Sequence, residues 1–105
     1  MDTGDAIKIA KKYIEFVSTK YNIHKAMLFG SYAKGTNHND SDIDVAIIIS
    51  NVEDIIDAQV ALMKFRRNFD LRIEPHPFIE SDFDRTNPVV NEIMKYGIEI
   101  KYNVA

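Results

Sequence analysis

Two aspartates two residues apart, Asp42 and Asp44, stand at the mouth of an apolar run that continues to Ile49. Side chains two apart in a strand point to one face, so both carboxylates can converge on one point. Two full charges about 4 Å apart repel by roughly 4 kcal/mol at an effective dielectric of 20, so a cation is called for there. With no cysteine and no suitably spaced histidine pair, the donors are hard oxygens, which suit Mg²⁺ or Mn²⁺ completed by substrate phosphates and water. Upstream, Gly30 ends another short apolar run and Ser31 opens a short helix, which offers free backbone amides and a hydroxyl to an anion. The chemistry suggested is that of a metal-bound phosphate. Each piece also has an ordinary structural use: Gly30 as a turn, Ser31 as a helix cap, and "NDSD" as a solvated turn with Asp44 a charge at a strand edge.

Several phosphate and metal motifs are excluded by spacing. The stretch from Gly30 to Gly35 lacks the longer glycine loop that closes on Lys and then Ser or Thr, and it is not G-x-G-x-x-G. Asp40, Asp42 and Asp44 have the one, three, five spacing of a calcium loop. Val45 stands where that loop needs glycine, however, and Asn51 stands where it needs a bidentate glutamate.

The elements that must position these groups follow from periodicity. Ile7, Ala10, Ile14 and Val17 recur at steps of three and four, which predicts an amphipathic helix from about Gly4 to Lys20. Ala26 to Phe29 reads as a short buried strand stopped by Gly30, with a very short helix after it. Residues 35 to 41, "GTNHNDS", are turn formers, and Asp42 to Ile49 is a second strand buried on both faces. Ser50 with Glu53 forms a capping-box pattern ahead of a helix from about Asn51 to Arg67. Phe69 to Pro75 alternates as a third strand, with Asp70, Arg72 and Glu74 on its polar side. Asn87, Pro88 and Gly97 frame a last helix, and Ile98, Ile100 and Tyr102 alternate as a closing strand. The order is α-β-α-β-α-β-α-β: an α/β (α+β) chain with a small mixed sheet flanked by helices. A third carboxylate for the Asp42–Asp44 pair is available on the third strand. The pattern leaves both Asp70 and Glu74 open, and an ion-pair ladder with Arg72 would use the same residues.

Composition sets the outer bounds. A chain of 105 residues, 46% hydrophobic and 28% charged, is expected to form one domain over residues 1–105, with no internal repeat or low-complexity tract. The net charge of -3 gives no attractive field for a nucleic-acid backbone, so no DNA binding is expected, although Lys64, Arg66 and Arg67 offer a local basic patch. No apolar run approaches a bilayer span and the N-terminus has no signal-peptide core, so a cytoplasmic location and no membrane association are expected. Tyr32, His38 and His76 read as exposed groups without an assigned role.

Taken jointly, Gly30, Ser31, Ala33, Gly35, Ser41, Asp42, Asp44 and Val45 resemble the G-S-x-A-x-G, spacer, S-D-x-D-hydrophobic signature of the DNA polymerase beta-like nucleotidyltransferases. The length resembles the minimal nucleotidyltransferases of prokaryotes, and the likeness covers nearly the whole chain. The resemblance implies transfer of a nucleoside monophosphate from a nucleoside triphosphate to a hydroxyl, with two Mg²⁺ ions (Mn²⁺ being the alternative) held by Asp42, Asp44 and a third carboxylate. In the family that carboxylate has a hydrophobic-Asp-hydrophobic setting, which favours Asp70 of "FDLRI" over Glu74 and makes Asp70 a candidate base. It further implies that Gly30 and Ser31 bind the leaving phosphates, with Lys34 as a screening charge.

Minimal nucleotidyltransferases commonly accompany HEPN ribonuclease toxins and act as antitoxins that attach AMP to a tyrosine of the toxin. The resemblance therefore implies ATP as donor and a HEPN-type protein as partner and acceptor. The chain lacks the extra helical domain of antibiotic nucleotidyltransferases and the thumb of a polymerase, and a borrowed acceptor site would explain both. Two rivals share the fold. One is a binding module that neutralises its partner by contact alone, and the other is a small-molecule nucleotidyltransferase with a separate helical subunit.

Overall fold

A computed structural model describes residues 1–103. Its elements run α1 (Thr3–Val17), β1 (Asn22–Phe29), α2 (Ser31–Lys34), β2 (Ile43–Ser50), α3 (Ile55–Phe65), β3 (Ile73–Ile79), α4 (Pro88–Tyr96) and β4 (Ile98–Glu99). The strands form one mixed sheet in the order β3-β2-β1-β4. β1 pairs antiparallel with both β2 and β4, whereas β2 and β3 run parallel. No helix among the described residues is long and apolar enough to cross a membrane.

β2 organises the molecule because it is apolar on both faces. Ile43, Val45, Ile47 and Ile49 join the core formed with α1 and α3, alongside Leu28 of β1 and Ile73 of β3. Ala46 points the other way into a smaller cluster with Phe29 and Ile93 of α4, and Met27, Phe78 and Phe83 pack against it. A strand covered on both sides reads as a continuous apolar run, and its register is firmly fixed. Asp44 lies two residues before Ala46, so it projects on the α4 side at the open end of the sheet.

Several elements differ from the sequence expectation; β1 starts at Asn22, four residues before the expected Ala26, and α1 ends at Val17. The helix expected from Asn51 starts at Ile55 instead, with Asp54 as the N-cap accepting from the amides of Ile56 and Asp57. Ser50 remains in β2 and donates to Glu80 Oε2 at 3.0 Å, and Asn51 turns the chain with φ 57°. The closing strand pairs only over Ile98 and Glu99, although Ile100 still donates to the Ala26 carbonyl at 2.9 Å.

The third strand begins at Ile73, not Phe69. Chain alternation alone set the expected frame, but Leu71 is 67% exposed and belongs to the turn before the strand. Pro75 and Pro77, which argue against a central strand, are tolerated because β3 is an edge. Its outward carbonyls are covered from α3 and the turn after it: Gln59 donates to Pro75 O at 3.1 Å and Arg66 to Ile73 O at 2.8 Å. The prolines and this cover together block addition of a further strand.

Candidate active site

The site is assembled at the end of the sheet where β1 stops and β2 and β3 begin. Asp44 is opposite Phe29 on β1 and opposite Glu74 on β3. Gly30, the next residue of β1, adopts φ 72° and ψ -151°, a conformation that only glycine enters readily. A Cβ there would press into Asp44 Oδ2 and stand 3.1 Å from its Cγ. The glycine is therefore required twice, for the backbone angle and for the close approach of the carboxylate.

α2 is anchored from below rather than held only by its own hydrogen bonds. Tyr32, expected to be exposed, is 1% exposed and lies in the α1/α3 core, while Thr3 donates to its carbonyl at 2.7 Å. Gly35 ends the helix in the left-handed conformation, and its amide bonds the Ser31 carbonyl. The loop that follows is tied by Ser41, which is buried: its hydroxyl accepts from the His38 amide at 2.9 Å and its amide donates to the His38 carbonyl at 3.1 Å. The serine before Asp42 thus sets where β2 starts.

The expected gathering of Asp42, Asp44 and Asp70 is not formed. Among the described residues no three His, Cys, Asp or Glu side chains come together as a metal cluster. Asp70 lies three residues ahead of β3, where Arg72 holds it through Nε at 2.9 Å and Nη2 at 2.7 Å. That guanidinium keeps the Asp70 carboxyl below its ordinary range, which makes it a poor base. Arg72 pairs with Asp70, not with Asp42 or Asp44. Lys34 is also committed elsewhere, to an ion pair with Glu92 of α4 and to the Tyr96 ring at 5.2 Å.

Glu74, left open beside Asp70 by the sequence pattern, and His76, read there as an exposed group without a role, both face Asp44. Glu74 is its register partner, and His76 Nε2 stands 3.2 Å from Asp44 Oδ1. The signal that ties His76 to the site is the alternation Glu74, His76, Phe78 in a strand framed by Ile73 and Ile79. Glu74 is only loosely held, by one contact to Arg66 Nη1 at 3.3 Å, in contrast to the two-point grip on Asp70.

The donor set suits a hard divalent cation by the way its charges are paired. Asp70, Glu74 and Glu92 each have an Arg or Lys partner. Asp42 is exposed and forms no hydrogen bond or ion pair among the described residues, and Asp44 has only the imidazole. Acidic groups one strand step apart without a resident basic partner leave charge for a cation to neutralise. The larger hollows, of about 360 and 530 Å³, lie at the other end of the sheet, lined by residues 18–23 with Tyr102 and by Ser50, Glu80 and their neighbours. The carboxylates instead sit at an open mouth.

The Asp70–Arg72 pair predicts a stability effect. A carboxylate with a lowered folded-state pKa stabilises the fold above its unfolded value, and the contribution is lost as pH falls through the folded value. Asp70→Asn should therefore cost about 1 kcal/mol or less at neutral pH, since Arg72 is 45% exposed. Denaturant melts should show that difference shrinking as pH drops below 3.8 and through the lowered value.

Comparison with known proteins gives a consistent result. The family model described as "Polymerase beta, Nucleotidyltransferase" matches residues 11–101. The chain is 27% identical over 104 residues to a Methanocaldococcus jannaschii protein named "Putative protein adenylyltransferase MJ0141", covering 91% of this chain and 99% of that one. Its fold superposes on a crystal structure of a "putative nucleotidyltransferase" from Sulfolobus solfataricus with TM-score 0.68, at 19% identity, over 92% of this chain and 80% of that one. It also superposes on a chain of a mutant toxin-antitoxin structure, MntA-HpeT, with TM-score 0.60, at 20% identity, over 98% of this chain and 75% of that one.

Proposed function

The chain belongs to the polymerase beta nucleotidyltransferase family, and on that premise we propose that it moves AMP from ATP to a hydroxyl on a partner protein, as the antitoxin of a HEPN-type toxin. The observation that carries the reading is the Asp42–Asp44 pair, left without an arginine or lysine partner at the mouth where Gly30 closes on Asp44. The name of the Methanocaldococcus jannaschii relative supports a protein as acceptor, and the MntA-HpeT likeness supports a toxin-antitoxin setting.

Asp42 and Asp44 would hold the divalent cations, Mg²⁺ or Mn²⁺, with Glu74 as the third carboxylate in place of Asp70. When bound, such ions neutralise the triphosphate and lower the pKa of the acceptor hydroxyl. The Gly30 amide and Ser31 hydroxyl are available to the leaving phosphates. Glu74, whose single contact to Arg66 leaves it free to turn, is the better carboxylate to receive the acceptor proton. In the overall transfer the acceptor oxygen bonds to the α-phosphorus, the bond to the β-phosphate oxygen breaks, and pyrophosphate leaves. Asp42 is exposed at an open end of the sheet, which fits an acceptor delivered by the partner.

ATP labelled at the α-phosphorus, incubated with the protein, Mg²⁺ and the product of the neighbouring gene, tests this reading. Label on the neighbour is expected. Label on a small molecule instead would support the subunit-dependent enzyme, and no label despite complex formation would support the contact-only antitoxin. In the same assay Glu74→Gln should lower transfer by at least the ~10–100-fold that loss of even an outer partner costs a metal site, while Asp70→Asn stays near wild type. The opposite ranking would return the third position to Asp70.

A further inference from the structure

His76 is the one histidine among the described residues whose ring reaches a carboxylate of the proposed site. It lies two residues beyond Glu74 on β3 and therefore on the same face, and its register partner on β2 is Ala46. A methyl group there leaves the imidazole room to lean toward Asp44. Phe29, itself only 5% exposed, fixes the ring edge-on, with centroids 4.9 Å apart and planes at 70°. The His76 side chain is nevertheless 36% exposed and that of Asp44 25%, so the edge between them is open to solvent.

The spacing of the pair is informative. At 3.2 Å, Nε2 to Oδ1 lies at the long limit for a hydrogen bond. It is also close to the separation of two neighbouring ligands on an octahedral ion, since bonds of about 2.1–2.2 Å at a right angle put their donor atoms about 3.0 Å apart. The contact is a hydrogen bond in this structure, and its spacing also fits oxygen and nitrogen as two adjacent donors to one ion, with the ring held there by packing.

We propose, building on the nucleotidyltransferase reading, that His76 is a nitrogen ligand to the cation held by Asp44, which shifts the preference of the site from Mg²⁺ toward Mn²⁺. Mg²⁺ takes oxygen donors almost exclusively and holds its water tightly, whereas the first-row transition ions accept an imidazole, Mn²⁺ least strongly among them but more readily than Mg²⁺. Asp42, water and triphosphate oxygens are the remaining donors.

The test uses the full chain loaded with Mn²⁺, alone and with inorganic tripolyphosphate, which contributes no nitrogen. Pulsed paramagnetic resonance of the bound Mn²⁺ should show modulation from a directly coordinated ¹⁴N. His76→Gln should remove that modulation and reduce the Mn²⁺ over Mg²⁺ preference by about tenfold or more, while keeping the wild-type melting temperature. His24→Gln and His38→Gln should leave both unchanged. Mn²⁺ that binds, is lost in Asp42→Asn and yet shows no nitrogen modulation would overturn the role of His76 and leave the carboxylate site standing. Absence of any bound Mn²⁺ would overturn both.

Discussion

Gly30→Ala is expected to cut activity roughly 10²-fold and to weaken the fold together. The backbone at φ 72°, ψ -151° is strained for any residue with a Cβ, at a cost of about 1–3 kcal/mol. The added methyl also has no free volume, because it meets the Asp44 carboxylate, whose Cγ would be 3.1 Å away. Asp44 must then swing aside, and a displacement of about 1 Å in a catalytic group costs roughly 10²-fold in rate. A thermal melt and a transfer assay on the same preparation check the two parts. Gly35→Ala is the control: at φ 72°, ψ 20° it lies in the left-handed region, a milder strain than at Gly30, and nothing lies within 4 Å of its added Cβ, so it should lose some stability while keeping far more of the activity.

The double variant Asp42→Asn with Asp44→Asn should behave in the opposite way, losing transfer without losing the fold. Two carboxylates facing one point repel, and removing that repulsion leaves the metal-free protein as stable as wild type or slightly more so. Cation binding goes with the charges. The several kcal/mol of transition-state stabilisation a bound metal supplies corresponds to a rate loss of ~10³-fold or more. Denaturant unfolding beside the labelled-ATP assay measures both. Retained transfer would remove these residues from the chemistry, and a collapsed melt would make their role structural.

Much of this arrangement could be read from residue order. The apolar steps of α1 and the double-sided run of β2 come from long, consistent patterns, and the structure keeps both, with Thr3–Val17 and Ile43–Ser50 as their bounds. Gly30 followed by Ser31 and the aspartates two apart fall together at one end of the sheet, because close backbone approach and same-face carboxylates depend on local spacing alone. What failed depended on tertiary context. Ser50 with Glu53 has the pattern of a capping box, but Ser50 is held in the sheet and bonds Glu80, so the cap passes to Asp54. Phe69 to Pro75 alternates, and the sheet keeps that parity with Ile73 on the core side and Glu74 opposite Asp44, but pairing to β2 starts the strand at Ile73 and carries it to Ile79. Prolines at 75 and 77 hid the strand from local rules that do not know it is an edge. Tyr32 reads as an exposed group by sequence and is buried because α2 folds back on α1. The family resemblance implies Lys34 as a screening charge for phosphate, but α4, far along the chain, supplies its partner Glu92.

Calorimetric titration of ATP into the protein, with Mg²⁺ and then with a chelator in its place, tests most directly whether the acidic mouth of this sheet binds a cation that in turn binds a triphosphate. The account predicts saturable binding in Mg²⁺, none in chelator, and loss of the Mg²⁺-dependent binding in Asp42→Asn. Equal affinity in both buffers, unchanged by Asp42→Asn, would contradict it.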